Sequence, residues 1–156
     1  MADKSELTYR RATIPDVKEI QKIVNFHAAK DEMLPRSLNQ VYETLRDYNV
    51  CEANGMLVGC CALHIMWEDL AEIRSVAIHP DYQGRGIGRE LVMRAIDEAK
   101  RLELPGVFLL TYKPEYFSKF GFTEVEKHSL PHKVWTECIN CPKFPDCGEV
   151  AMTLTF

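Results

Sequence analysis

Between an apolar run that ends at Ile78 and an amphipathic stretch that begins at Leu91 lies the segment Asp81-Tyr82-Gln83-Gly84-Arg85-Gly86-Ile87-Gly88-Arg89. Successive backbone N–H groups in a loop that runs into a helix N-terminus form a nest for an anion, and glycines let the main chain reach the oxygens with no Cβ in the way. Gly84, Gly86 and Gly88 suit that use, and Arg85 and Arg89 add mobile cations where the helix dipole adds a partial positive charge. A pyrophosphate fits such a site. A nucleoside-triphosphate loop does not, because it needs Gly-x-x-x-x-Gly-Lys-Ser/Thr, and no lysine and hydroxyl pair follows these glycines. A dinucleotide fold needs Gly-x-Gly-x-x-Gly, whereas the spacing here is Gly84-x-Gly86-x-Gly88. Taken alone, the loop is also compatible with a glycine-rich surface turn.

A second constellation, His132-x5-Cys138-x2-Cys141-x5-Cys147, offers ligands of the types zinc prefers, at spacings a loop can fold around one ion. A closed site would be structural; free thiols are the alternative. A redox pair is disfavoured because Cys138-Ile139-Asn140-Cys141 is followed by Pro142 and opens no helix. Cys51, Cys60 and Cys61 lie in apolar, strand-like segments and read as buried thiols.

The elements that must position these groups follow from periodicity and caps. A short strand at Thr8 to Arg11 leads to a capping box, Thr13 with Asp16, and Val17, Ile20, Ile23 and Val24 recur at helical spacing after it. Ser37 with Gln40 caps a second helix, whose expected face is Leu38, Val41, Leu45 and Tyr48. Asn54-Gly55 between two apolar runs predicts a hairpin joining strands at about Val50 to Ala53 and Met56 to Met66. A strand over Leu70 to Ile78 precedes the Gly-rich loop, and Leu91, Val92, Ala95, Ile96, Ala99 and Leu102 continue it as the longest helix until Pro105-Gly106. Val107 to Thr111 forms a strand, Pro114 starts a short helix closed at Gly121, and Val150, Met152, Leu154 and Phe156 alternate in a half-buried closing strand. The order describes a mixed α/β sheet covered by helices. At 156 residues, 1–156 are expected to form a single domain.

The charge balance excludes some partners. A net charge of −4 gives no general attraction for nucleic acid or anionic membranes, so any positive field must be local. The polar N-terminus and the lack of an apolar run near the ~20 residues of a membrane span predict a cytoplasmic protein.

The stretch from Glu72 to Gly88 resembles the central motif of the GNAT acetyltransferase superfamily, Gln/Arg-x-x-Gly-x-Gly/Ala, met here by Gln83, Gly86 and Gly88. Tyr116-Phe117-Ser118-Lys119-Phe120-Gly121-Phe122 is similar to the superfamily's aromatic-x-x-x-Gly-Phe motif. The resemblance implies an α/β fold with a mixed, mostly antiparallel sheet flanked by helices, and acetyl-CoA as co-substrate. It implies that backbone around Val76 and Ile78 pairs with the pantetheine arm as an added strand, and that amides from Gly84 through Ile87 to Arg89 hold the pyrophosphate. Glu72 stands where several relatives carry a general base, although a strand glutamate paired with a lysine or arginine is the plainer account. Phe117 takes the place of the family's usual tyrosine, which leaves Tyr116, one position earlier, as the candidate acid.

A closer resemblance is to the acetyltransferase domain of N-acetylglutamate synthase, through Tyr9-Arg10-Arg11-Ala12-Thr13, Leu34-Pro35-Arg36-Ser37 and Leu130-Pro131. It implies a small-molecule amine as partner, with L-glutamate foremost and arginine biosynthesis as the setting. Arg36 would bind a carboxylate of the acceptor, backbone at Leu34 and Ser75 its amino end, and Lys133 a second carboxylate. A surface arginine beside a helix cap, and a solvated lysine, are the alternatives. The basic and hydroxyl residues that the family carries before its last strand are not matched; Asp146, Cys147, Gly148 and Glu149 stand there. Another amine acceptor, a non-catalytic acyl-CoA-binding module and a homodimer complete the expectations.

Overall fold

The computed structural model describes residues 6–131 and 148–156. Among the described residues seven strands, β1 (Leu7–Arg11), β2 (Tyr48–Ala53), β3 (Met56–Trp67), β4 (Leu70–Ile78), β5 (Gly106–Thr111), β6 (Thr123–Val125) and β7 (Val150–Thr155), join in one sheet in the order β1-β2-β3-β4-β5-β7-β6. Every neighbouring pair is antiparallel except β4 with β5, which is the mostly antiparallel α/β architecture expected. Helices α1 (Val17–Ala28) and α2 (Leu38–Glu43) cover one face, and α3 (Ile87–Arg101) covers the other; α4 (Pro114–Ser118) follows β5.

Each helix is placed by its apolar stripe. Val17, Ile20, Ile23 and Val24 of α1 are buried against Val50, Cys60, Ala62 and Ala77 of the sheet. On the opposite face Leu91, Val92, Ala95, Ile96 and Ala99 of α3 pack on Val58, Cys61, Leu63 and Ile73. Each fully buried valine, leucine or isoleucine contributes about 1.5–3 kcal/mol, so the two stripes hold both layers to the sheet. Polar groups fix the entry to α1. The Asp16 carboxylate accepts from Thr13 N at 2.7 Å and from both terminal nitrogens of Arg10, at 2.7 and 2.9 Å, while Arg10 Nε reaches Glu52 at 2.5 Å. The Arg10 hydrogen bonds hold the Asp16 carboxyl below the ordinary carboxylate range despite its burial.

Three expectations change. The second helix stops at Glu43; Leu45–Asp47 is a single 3-10 turn, and Tyr48 opens β2 opposite Ala62. The helical spacing of Leu45 and Tyr48 loses to strand pairing with β3, which buries Tyr48. The closing strand is not half-buried by simple alternation, since Ala151 and Met152 are both buried where β7 runs between β5 and β6. Phe156 lies beyond that strand, 41% exposed, with the Lys100 ammonium 5.4 Å from its ring centre. Cys51, Cys60 and Cys61 are buried free thiols as expected, and burial pushes the Cys60 thiol up to about 12.

The β5–β7 seam depends on Gly106, where a Cβ would collide with the Leu154 carbonyl oxygen and lie 3.1 Å from Thr155 Cα. Backbone cannot yield there as a side chain would. Gly106→Ala should destabilise by about 1–3 kcal/mol. In thermal denaturation that is a midpoint lower by roughly 2–10 °C, and an unchanged midpoint would show that the seam relaxes freely.

Candidate active site

β4 and β5 are parallel neighbours registered at one position, Glu72 with Phe108, and they diverge toward their C-terminal ends. The reason lies in β4. Its register against β3 shifts between Cys60 and Ala62, and Ser75, a non-glycine residue with φ 57°, forms the bulge opposite. The extra residue changes the phase of the strand: Ala71 and Ile73 face the α3 core before it, Val76 and Ile78 do so after it, and Ala77 turns to the α1 core. The Ser75 carbonyl accepts from the Cys60 thiol at 3.3 Å.

The divergence opens a cleft of about 390 Å³. Arg74 to Ile78 form one wall, and Leu109 to Thr111 with Glu149 form the other. His27, on the buried face of α1, spans one rim: Nε2 donates to the Ile78 carbonyl at 2.7 Å, and Nδ1 meets Glu32 Oε1 at 2.7 Å. That hydrogen bond, with the Lys113 charge aiding and burial opposing, holds the Glu32 carboxyl below its ordinary value. The Ile78 carbonyl also accepts from Gln83 Nε2 at 3.5 Å, while Val76 lines the opening.

At the wide end the Gly-rich loop turns into α3. Gly86 is the helix N-cap in the left-handed conformation, φ 81°, and no side chain caps it, so the first-turn N–H groups point to the cleft mouth. Gly84 has φ 79°, and a Cβ at either glycine would have nothing within 4 Å. Gln83, Gly84, Gly86, Ile87, Gly88 and Arg89 all line the cleft; Arg85 stacks its guanidinium 4.8 Å from the Tyr82 ring centre. A strand edge leading to a positively charged helix start is the shape of a long ligand with amide groups at one end and a pyrophosphate at the other.

Comparison with known proteins agrees. Residues 14–122 match the model of the acetyltransferase (GNAT) family. The chain belongs to the GNAT acetyltransferase family. An amino-acid acetyltransferase of Mycobacterium tuberculosis is 40% identical over 131 residues, covering 82% of this chain and 75% of that protein. The crystal structure of Rv2747 from Mycobacterium tuberculosis in complex with CoA and NLQ superposes with a TM-score of 0.83 at 34% identity, over 96% of this chain and 99% of that one. N-acetylglutamate synthase from Neisseria gonorrhoeae, complexed with coenzyme A and N-acetyl-glutamate, shares the fold with a TM-score of 0.85 at 22% identity; this chain spans 99% of itself but 36% of that synthase. The protein is an acetyl-CoA-dependent N-acetyltransferase.

In this GNAT enzyme the cleft gathers Ser75, Val76, Ile78, the loop residues and Tyr116. Tyr116 and Phe117 both face it, stacked edge to face at 5.0 Å, and a Cβ on Gly88 would lie 2.7 Å from the Tyr116 hydroxyl. Burial pushes the Tyr116 phenol above its ordinary value, with Arg89 opposing, so it carries its proton at neutral pH. Leu34, Arg36 and Glu72 are not among the lining residues. The Glu72 carboxylate, 12% exposed, lies 3.6 Å from Arg74 Nη1. Lys133, His132, Cys138, Cys141 and Cys147 lie outside the described residues. Among the described residues no group of three histidine, cysteine or acidic side chains could hold a metal, and no helix is long and apolar enough to cross a membrane.

Arg74, His27, Glu32 and Lys113 line the cleft without a role expected from the sequence, and Glu149, which stands where the synthase family carries a basic or hydroxyl residue, lines it as well. His27 had a signal: it continues the Ile20, Ile23, Val24 stripe and so had to face the sheet. Arg74 had none, because its place depends on a bulge that no glycine marks.

The pyrophosphate assignment is tested by Gly86→Asp. Leaving the unstrained left-handed turn costs ~1–3 kcal/mol, and a carboxylate there repels the ligand. Calorimetry should show affinity for acetyl-CoA reduced by at least roughly tenfold; equal affinity would move the cofactor to another surface.

Proposed function

We propose that the protein acetylates the α-amine of a free amino acid, with L-glutamate as the preferred acceptor. The observation that carries this reading is the cleft wall at Ser75, where a strand edge able to hold an acyl thioester ends beside the Arg74 guanidinium, whose side chain is 8% exposed. The relative from Mycobacterium tuberculosis bears the name amino-acid acetyltransferase, which supports an amino-acid acceptor. The Leu34-Pro35-Arg36-Ser37 step resembles that of N-acetylglutamate synthase and supports glutamate, which would set the product at the head of arginine biosynthesis.

Acetyl-CoA supplies an acetyl thioester, to which a neutral amine adds directly; a C–N bond forms, the C–S bond breaks, and the amine proton leaves. The chain's part is to align and to move protons. Glu72 takes the amine proton through water, with Arg74 keeping a positive charge beside the carboxylate. Tyr116, protonated and in the cleft, is the group placed to return a proton to the departing sulfur. Arg36 is held for substrate by its main chain: Asn25 accepts from Arg36 N at 2.9 Å and donates to Arg36 O at 3.0 Å, and Gln21 adds a bond to the same carbonyl at 3.3 Å. The Ser37 cap then starts α2 at that point.

A screen of amino acids, polyamines and aminoglycosides by release of free CoA thiol should single out L-glutamate, with glutamine or aspartate slower. A polyamine or aminoglycoside as best acceptor would sink the amino-acid reading and leave the acetyltransferase. Arg36→Ala should raise the KM for glutamate by about 10-fold or more, since a charged hydrogen bond contributes ~1.5–3 kcal/mol, with little effect on that for acetyl-CoA.

Loss of a proton acceptor with geometry intact typically costs ~10²-fold in turnover. Glu72→Gln should show that loss in kcat with acetyl-CoA affinity nearly unchanged. Parallel losses in affinity and turnover would identify Glu72 as a structural partner of Arg74 alone.

A further inference from the structure

We propose that His64, oriented by Asp47, carries the proton taken up by Glu72 out to solvent, so that the base is reset on the side of the sheet away from α3. This path presupposes Glu72 as the base, as proposed above, and adds two groups that act through it. A carboxylate that takes a proton from the amine must lose it again before the next turnover. Glu72 is poorly placed to do so alone, since its side chain is 12% exposed and it does not line the cleft.

The β3–β4 register supplies the next group. His64 is the direct cross-strand partner of Glu72, so both side chains leave the same face of the sheet, with Cβ atoms roughly 4.5–5.5 Å apart. That face is the α1 side: Ala62, two residues before His64, is buried in the α1 core, whereas Leu63, Ala71 and Ile73, at the alternate positions, lie in the α3 core. At such a separation one water can join the imidazole to the carboxylate. His64 Nδ1 is 2.6 Å from Asp47 Oδ2, as short as a charge-assisted hydrogen bond. An ionised carboxylate can only accept, so Nδ1 carries the hydrogen and Nε2 is left as the basic nitrogen of the ring.

Asp47 ends the 3-10 turn before β2, where the pairing of Tyr48 with Ala62 holds it beside β3. At 28% and 23% exposure, His64 and Asp47 reach water more readily than Glu72 does. Arg74, opposite Ala62 on the same face, sets its positive charge beside the carboxylate that must release the proton. The step balances. The amine nitrogen gives its proton to Glu72 as the C–N bond forms; Glu72 passes it through water to His64 Nε2; the imidazolium, paired with Asp47, releases it to bulk water. The departing sulfur takes its proton from Tyr116, which draws one back from solvent on the cleft side.

The test uses acetyl-CoA with L-glutamate, or with the acceptor that the thiol-release screen selects in its place. His64→Ala should lower kcat about 10-fold, with the KM for the acceptor and the affinity for acetyl-CoA changed less than about threefold, as expected when a proton transfer slows and binding stays. Free imidazole should restore about half of the lost kcat in His64→Ala, saturably and more strongly as pH rises and the neutral ring accumulates, and should do nothing for Glu72→Gln. His64→Gln, which can hold Asp47 through its amide N–H but takes up no proton, should be as slow as His64→Ala while thermal denaturation shows it folded. Parental kcat in His64→Gln would overturn the proposal and leave the pair as a tie between the turn and β3. A loss in His64→Ala that imidazole does not relieve would overturn it as well. Full turnover in Glu72→Gln would remove the base assignment and the relay with it; turnover lost there but intact in His64→Gln would remove the relay alone.

Discussion

Two adjacent strands in a sheet normally satisfy each other's backbone groups, and in this protein β4 and β5 do so at a single register position, which leaves the cleft between them. A parallel pair registered at a single position leaves main-chain donors and acceptors exposed in the interior of a folded sheet, where they are costly unless a ligand or side chain meets them. The bulge at Ser75 produces the divergence by adding a residue to β4 that β3 does not match. Everything else around the cleft is arranged to keep that opening from collapsing: α3 presses on one face, α1 on the other, and His27 occupies the Ile78 carbonyl at the rim.

The same bulge divides the side chains of β4 between the two faces of the sheet. Before Ser75 the strand shows Glu72 and Arg74 to one face, and after it Val76 and Ile78 turn apolar side chains toward α3 while their main chain follows the slot. Charged side chains thus precede the bulge, and an apolar strand edge follows it toward the start of α3. A non-glycine residue at φ 57° carries strain of order 1–3 kcal/mol, which the packing on both faces offsets.

Much of this was legible in the sequence because it was local. The Leu70 to Ile78 run, the Asn54-Gly55 hairpin and the glycine alternation at 84, 86 and 88 each specify a backbone conformation with few competitors, and all three stand where expected. The failures were non-local. Tyr48 has helical spacing with Val41, yet it belongs to a strand because β3 offers it a partner, and the three-residue strand β6 exists only through its pairing with β7. Arg74 was passed over because nothing in a serine announces a left-handed bulge; the residues that line the cleft are decided by register against β3. Glu72 is the converse, a residue marked by family motif that the structure sets behind the cleft wall, joined to it through an arginine.

The position of β7 has a consequence for how the chain comes into being. β7 is the last strand in sequence but lies inside the sheet, between β5 and β6, and β6 pairs with β7. During vectorial synthesis β1 to β5 emerge in an order that lets each join its neighbour, with α3 docking on the way. β6 then has to wait for a strand that begins at Val150. Until it arrives, the far edge of β5 presents an unpaired row of amides of the kind that templates association between nascent chains. The cleft between β4 and β5 and the edge that is exposed longest are thus the two sides of the same strand, β5, and only the second is closed by another strand.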